Sequence, residues 1–470
     1  MKKTKIICTI GPSTYSREML RIMMENGMDV ARINMSHATR DEARNIIYTI
    51  RELNRELKMN VGILIDTKGP ELTLKAYSDE DTMLCEGDTV VLTVKDSSKN
   101  NEKFLVNYPG LIQDVKKGDK ILLEEGTIEL VVVDETIDDV ICEVVTGGCI
   151  KNDIGLNVPD VNLNIDFLSI ADKSDITFAS SIDADYIALS FVRNANDVLD
   201  VNDMLIQLRN EHMQIISKIE NKSAIEDLNN IIKVSEGIMV ARGDLGVETS
   251  FEEVPYLQKK IVHESLLSNK ICIVATQMLA SMEYYSKPTR AEVSDIANAV
   301  IDGVDAVMLS GETAVGKYPL ETLETMKRII TNMEDNLDYD KFMLDKKDEA
   351  QDDITTIIAS NVTSSANKLK AKAIVASSVS GYTARMISSF RPRCPIIVTT
   401  PEEKTARSLS LNYGTYPVVT PTFESTDEML DNSINEAKKI IPLENDKIII
   451  TGSIPIKANS TNFMKIEEIK

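Results

Sequence analysis

No stretch of this 470-residue sequence approaches the ~18 consecutive apolar residues of a membrane-spanning helix, so no membrane span is expected. The apolar run inside MKKTKIICTIGPST is also too short for a secretion signal. Cysteine is sparse: six residues, at 8, 85, 142, 149, 272 and 394, form no C-x-x-C pair and show no zinc-like spacing. They read as reduced, mostly buried thiols of a cytoplasmic protein. Cations are in deficit, with 52 Lys and Arg against 74 Asp and Glu for a net charge of -22. That balance argues against nucleic acid and anionic membranes as partners, and a polyanionic substrate would need its own local positive cluster. Low-complexity tracts and short-period repeats are absent as well.

What is present is ordinary globular composition, 43% apolar and 27% charged, at a length suited to two to four domains. The most informative run is Ile216-Ser217-Lys218-Ile219-Glu220, followed by Met239-Val240-Ala241-Arg242-Gly243-Asp244-Leu245-Gly246. Side chains alternate faces along a strand, so Lys218 and Glu220 point the same way. A cation and an anion at the end of an apolar strand are costly to bury without a use. Asp244 ends the next apolar run in the same manner. Two carboxylates beside a lysine suit a divalent cation held next to a phosphoryl group in transfer. A structural ion pair at a barrel mouth is the alternative reading of Lys218 and Glu220 taken alone.

Residues 213–246 read as a β-α-β unit, with Ile225, Leu228, Ile231 and Ile232 at helical spacing and Gly237 as the helix stop. The unit recurs in KICIVATQM, a helix carrying Val293, Ile296, Ala297 and Val300, Gly303 as a stop, and DAVMLSGET. With KIICTIG, DVARINMSH, VGILIDTKG and DYIALSFVR, the count reaches eight. Eight strands alternating with helices predict a (β/α)8 TIM barrel whose site lies at the C-terminal strand ends; a doubly wound sheet shows the same rhythm but not this regular count. Polar residues collect there: Arg32, Asn34, Ser36, Asp66, Lys68, Arg193, Lys218, Glu220, Asp244, Thr276 and Glu312. The barrel is assigned to 1–69 and 166–340. Residues 70–165 carry short β runs (TVVLTV, KILL, IELVVV, VICEVV) and read as an inserted β-barrel lid domain. FMLDKKDEAQDD reads as a connector, and 341–470 as an open C-terminal α/β domain.

In this order, CTIGPST, ARINMSH, DTKGPE, SFVR, ISKIEN, MVARGDLG, VATQML, PTRAEVSDIANAV, LSGETA and RPRCPIIVTT resemble pyruvate kinase along essentially the whole chain. The resemblance implies phosphoryl transfer from phosphoenolpyruvate to ADP, yielding pyruvate and ATP. It casts Lys218 as the cation facing the transferring group and Arg32 as a clamp opposite. Glu220 and Asp244 become ligands of Mg2+ (or Mn2+). The backbone of Ala241, Arg242, Gly243 and Asp244, with Thr276, becomes the cradle of the substrate carboxylate. Thr276, Ser310 and Glu312 become organisers of the water chain that protonates the enolate. Asn34, Ser36, Asp66 and Thr67 become K+ ligands, with Glu71 supporting K+ dependence; Arg32, Asn34 and His37 face the nucleotide. Ser377, Ser378, Ser380, Gly381 and Thr383 form a loop for a sugar-phosphate or nucleotide effector. A cytoplasmic homotetramer is implied.

The nucleotide half departs from the family pattern. Gly-Pro-Glu-Ile-Arg reads Gly69-Pro70-Glu71-Leu72-Thr73, Asp-Asp-Gly reads Glu124-Glu125-Gly126, Lys-Gly-Val-Asn reads Ile154-Gly155-Leu156-Asn157, and Ser-His-Gly reads Ser36-His37-Ala38. Lys151 is the nearest replacement cation. The Gly-rich companion of the effector loop reads Ile456-Lys457-Ala458-Asn459-Ser460-Thr461-Asn462. The expectation is a kinase with weak or altered nucleotide binding. A regulatory, phosphoenolpyruvate-binding paralogue is the alternative, and a barrel aldolase or mutase would leave the lid and C-terminal domain without a role.

Overall fold

Eight parallel strands, none longer than six residues, form the catalytic half of the computed structural model: Lys5–Thr9 (β1), Val30–Asn34 (β2), Gly62–Asp66 (β3), Tyr186–Leu189 (β4), Gln214–Ile219 (β5), Gly237–Ala241 (β6), Ile271–Ala275 (β7) and Ala306–Leu309 (β8). The structure describes residues 1–76, 82–95, 103–124, 126–150, 154–161, 163–349, 353–423, 425–455 and 459–469. Each strand pairs with its neighbours in sequence, and β1 pairs with β8 through Lys5–Ala306 to Cys8–Leu309, closing the barrel. The strands are apolar on both faces because both are covered. Ile7, Leu64, Ile216, Met239 and Ile273 fill the interior, while Ile6, Cys8, Ile63, Ile65 and Ile215 pack outward against the helices.

Gly303 caps the helix Arg290–Asp302 in the left-handed conformation (φ 90°), as its position predicts. Gly237 does something else. The segment before it forms two short helices, Lys222–Glu226 and Leu228–Val234, and Ser235 ends the second. Gly237 opens β6 instead, because there is no room for a side chain: a Cβ there would lie 2.7 Å from Ile216 Cδ1 and 2.9 Å from Ile271 Cβ. Gly237→Val is therefore expected to destabilise the fold by about 1–3 kcal/mol through overpacking. Denaturant unfolding checks this, and an unchanged midpoint would refute it.

After β3 the chain builds a second closed barrel of seven strands with its own core, in which Leu74, Leu92, Leu123, Leu130, Cys142 and Leu156 are buried. The four apolar runs seen in the sequence are strands Thr89–Thr93, Lys120–Leu123, Ile128–Glu135 and Asp139–Thr146. Leu72–Ala76, Lys103–Val106 and Ile154–Asn157 complete the barrel. They are too short and mixed to stand out before pairing supplies their context.

The connector after residue 338 is a helix, Tyr339–Glu349. Beyond it lies a five-stranded sheet in the order Thr415–Val419, Ile396–Thr400, Ala373–Ser377, Lys447–Gly452, Phe463–Glu468. Its last strand is antiparallel and was not visible as an apolar run. This domain seals the N-terminal end of the eight-stranded barrel. Leu411 belongs to the barrel's interior cluster. The Tyr186 hydroxyl accepts from Leu411 N at 3.2 Å, and Arg391 pairs with Asp305 at 2.7 Å. All six cysteines are free, and Cys8, Cys142, Cys272 and Cys394 are buried. Among the described residues no helix is long and apolar enough to cross a membrane.

Candidate active site

The C-terminal ends of β2, β3 and β5 bring Arg32, Asp66, Lys218 and Glu220 together. Asp66, 1% exposed, receives Arg32 Nε at 2.7 Å on one oxygen, and Lys218 Nζ stands 3.5 Å from the other. Lys218 Nζ is 2.9 Å from Glu220 Oε1 and donates to Ser190 Oγ at 2.7 Å. Ser190 Oγ donates in turn to Thr67 O at 2.7 Å, and Arg32 donates to Thr9 Oγ1 at 2.9 Å. Ser190 and Thr9 were not singled out in the sequence, where a hydroxyl at a strand end is indistinguishable from a turn residue. Here they fix the two cations.

Burial works to lower the proton affinity of Lys218, but Asp66 and then Glu220 outweigh it, so the ammonium is held above the usual lysine value. Burial works to raise Asp66, and Lys218 and Arg32 overcome it, leaving the carboxylate below its ordinary range. Glu220 goes the other way. Burial pushes it up to about 7, with Lys218 opposing the shift and Asp244 adding to it. Its Oε2 accepts from Phe191 N at 2.6 Å, while its buried Oε1 faces the Lys218 ammonium at 2.9 Å. The neighbouring carboxylate of Asp244, in the helix Arg242–Glu248, adds to that upward shift, and two such carboxylates side by side fit a divalent cation. Among the described residues no three His, Cys, Asp or Glu side chains converge as a metal cage. Two carboxylates alone would leave most positions of a divalent cation to other oxygens.

Thr276 and the next residue, Gln277, both have left-handed backbones (φ 70° and 54°). A β-branched residue there is a strained outlier costing about 1–3 kcal/mol. Arg242 holds it in place: Nη2 donates to Thr276 O at 2.6 Å, while Nη1 is anchored on Asp295 at 2.7 and 2.8 Å. The Arg242 guanidinium is thus turned into the scaffold, and only its backbone can face a substrate. Thr276 Oγ1 accepts from Gly243 N at 2.9 Å and donates to Ala275 O at 2.6 Å. The Gly243 amide expected in the carboxylate cradle is therefore already engaged by Thr276. Glu312, 2% exposed, accepts from Ser310 N at 2.7 Å and Leu279 N at 3.1 Å. Its two oxygens brace the loops after β7 and β8. The Ser310 hydroxyl makes no hydrogen bond among the described residues.

Asn34 and Asp66 are register partners on β2 and β3. Asn34 Oδ1 accepts from Ser36 N at 3.1 Å, so Asn34, Ser36, Asp66 and Thr67 gather at one rim. His37 is exposed beside them. Between the mouth and the lid lies a cleft of about 740 Å³. His37, Glu71, Glu124, Ile154, Asp244 and Glu248 are on its wall. Its only cations among the described residues, Arg193 and Lys222, are paired with Asp197 and Asp160 at 3.0 and 2.7 Å. Glu71 pairs with Lys68 at 3.5 Å, and Thr73 pairs with Gly155 between two lid strands. Glu125 and Lys151 lie outside the described residues.

In the C-terminal domain, the Ser380 hydroxyl donates to Asn459 Oδ1 at 2.7 Å. Thr383 and Thr461 share a hydrogen bond of 2.7 Å, and Gly381 takes φ 76°. Ser377 ends the strand Ala373–Ser377 and Ser378 is nearly buried. Ile456, Lys457 and Ala458 lie outside the described residues.

A (β/α)8 barrel with a small barrel inserted after its third strand, and a lysine set among carboxylates at its mouth, defines a lidded phosphotransferase. Residues 1–323 match the family described as "Pyruvate kinase, barrel domain", and 356–467 match "Pyruvate kinase, alpha/beta domain". The chain is 43% identical over 470 residues to the pyruvate kinase of Staphylococcus haemolyticus, covering 99% of this chain and 80% of that one. It is 42% identical over 472 residues to that of Geobacillus stearothermophilus, covering 100% of this chain and 80% of the other. For Sporosarcina psychrophila the figures are 41% over 473 residues, 100% and 81%. The chain belongs to the pyruvate kinase family, and its activity is that of a pyruvate kinase.

Proposed function

We propose that the buried cluster of Lys218, Asp66, Arg32 and Glu220 is the phosphoryl-transfer centre for phosphoenolpyruvate and ADP. The observation that carries this is Lys218, a cation charged by Asp66 and Glu220 and aimed by Ser190 at the barrel mouth. Lys218 neutralises the oxygens of the group in flight, and Arg32 clamps it from the far side while Asp66 and Thr9 hold its guanidinium. Glu220 and Asp244 would hold Mg2+, which when bound supplies the positive charge that an enolate and phosphate share. The backbone of Ala241, Arg242 and Asp244 receives the carboxylate, while Thr276 holds the Gly243 amide beside it and would have to turn its hydroxyl from Ala275 O to join them. Thr276 and Ser310 offer hydroxyls for proton delivery, and Glu312 holds that loop in place. Asn34, Ser36, Asp66 and Thr67 would hold K+ with hard oxygen donors.

Nucleotide handling is the unusual part of this reading. With Arg193 and Lys222 committed and Ile154 on the wall, the cleft offers ADP few cations, so binding depends on the metal ions and on Arg32. Each missing charged hydrogen bond costs about 1.5–3 kcal/mol. The protein would act in the cytoplasm as a homotetramer, with a phosphate-bearing effector at Ser377–Thr383.

The test is pyruvate formation from phosphoenolpyruvate and ADP, with Mg2+ and K+ each omitted in turn. The expected result is turnover on the order of 1–10³ s⁻¹ that needs both ions, with an elevated KM for ADP alone. An ordinary KM for ADP would sink the weak-nucleotide reading. Phosphoenolpyruvate binding without turnover at any ADP concentration would favour a sensor.

A further inference from the structure

The lid hangs from the barrel by two crossings of the chain, and both touch the loop after β4. The outgoing crossing leaves β3 at Asp66 and reaches the first lid strand, Leu72–Ala76, through Thr67, Lys68, Gly69 and Pro70. The returning one enters the helix Ile170–Ser181, whose first turn is capped by Ser169. Asp172, 1% exposed, ties them together. One of its oxygens accepts from Gly69 N at 2.9 Å, the other from Ser169 N at 3.1 Å and Ser169 Oγ at 2.6 Å. Arg193, in the loop after β4, grips the returning chain as well: its Nη1 donates to Ile165 O at 2.8 Å.

Gly69 is where the outgoing crossing meets the residue that aims Lys218. Its φ of 71° already favours glycine, but space is the tighter restriction. A Cβ there would lie 2.8 Å from Ser190 O and 2.9 Å from Ser190 Cβ. Ser190 is 3% exposed. Its hydroxyl donates to Thr67 O at 2.7 Å, in the same crossing, and accepts from Lys218 Nζ at 2.7 Å. One hydroxyl therefore joins the root of the lid to the Lys218 ammonium, and the bare backbone of Gly69 is pressed against the residue that carries it. A close-packed interior passes a displacement on rather than absorbing it. A turn of the lid about its crossings thus reaches Lys218 through a single side chain.

We propose that Gly69 is a positioning residue for phosphoryl transfer: by seating the outgoing crossing on Ser190, it makes the aim of Lys218 follow the lid. This role rests on the reading of Lys218 as the transfer cation and places control of its aim outside the charged cluster. Misplacing reacting groups by about 1 Å costs on the order of 10²-fold in rate, so a methyl group forced between Gly69 and Ser190 is enough to be felt.

The test is a double-mutant cycle on the full chain, reading kcat for pyruvate formation at saturating phosphoenolpyruvate, ADP, Mg2+ and K+. Gly69→Ala is expected to lower kcat at least about tenfold in the parent. In Ser190→Ala, where the hydroxyl that passes the displacement to Lys218 is gone, the same change should cost less than about twofold. Packing damage alone costs the same factor in both backgrounds. Gly118→Ala, in the lid at φ 98° with open space around it, carries the same kind of backbone strain and should keep the parent's kcat. If thermal unfolding shows that Gly69→Ala does not fold, Asp172→Ala, which frees the Gly69 amide, goes through the same two backgrounds with the same pattern expected. An equal loss in both backgrounds, or no loss in the parent, overturns the coupling. Lys218→Met tells the two readings apart: if it lowers kcat while the cycle is additive, only the coupling fails, and if kcat survives it, the role of Lys218 falls first.

Discussion

Replacing Lys218 by methionine is expected to lower kcat by about 10²–10³-fold, the usual cost of removing one well-placed electrostatic donor from a transition state. The same change leaves two carboxylates behind, and they fare differently. Asp66 keeps Arg32 at 2.7 Å. Glu220, already pushed up to about 7 by burial, loses the one ammonium opposing that shift and will take up a proton rather than stay charged. Affinity for the divalent ion should therefore fall along with the rate, so kcat is to be measured at saturating Mg2+. The control is thermal unfolding, which separates a folded, slow enzyme from a collapsed one. A folded Lys218→Met variant within a few-fold of the parent kcat would remove Lys218 from the chemistry and return it to the role of a structural ion pair.

The second large effect is expected far from the chemistry. Arg391→Met should destabilise the chain by about 3–5 kcal/mol, because it strands a buried charge. Asp305 is 2% exposed. It accepts from Arg391 at 2.7 Å, Cys272 N at 3.0 Å and Tyr413 N at 3.0 Å. Arg391 also gives two hydrogen bonds to Gly303 O, at 3.0 and 2.8 Å, and lies over the Tyr413 ring. Arg17, paired with Glu52 and Glu56 on side chains about half exposed, is the internal contrast: Arg17→Met should cost about 0–1 kcal/mol. Urea unfolding of the two variants in parallel decides the point, and equal losses would mean that burial does not set the worth of these pairs.

The eight barrel strands were legible because a strand covered on both faces must be apolar throughout, and eight such runs with polar ends leave few other folds. Lys218 and Glu220 were legible because charge at the end of such a run is conspicuous. Lid strands such as Ile154–Asn157 were not, since their apolar residues alternate over only four positions. Gly237 misled for a physical reason: glycine serves both as a helix terminator and as a point of close packing, and only the neighbours Ile216 and Ile271 distinguish them. The partners of Glu312 were also hidden, since backbone amides from Leu279 and Ser310 are brought to it by folding and leave no mark in the spacing of residues. The strained pair Thr276 and Gln277 could not have been read, because nothing in VATQML announces a reversed φ.

Leu411 lies in the interior of a barrel to which, by sequence, it does not belong. Gly62 extends that intimacy, since a Cβ on it would fall 2.3 Å from Ser410 Oγ. The cork of the vessel is therefore made by one stretch of the gene and its wall by another, more than a hundred residues earlier. Recombination that exchanges the C-terminal third between relatives must carry a matching stopper, or the wall of the recipient stands open to water. The two regions are bound to drift together, and the join that looks easiest to cut on the page is among the least interchangeable in the molecule.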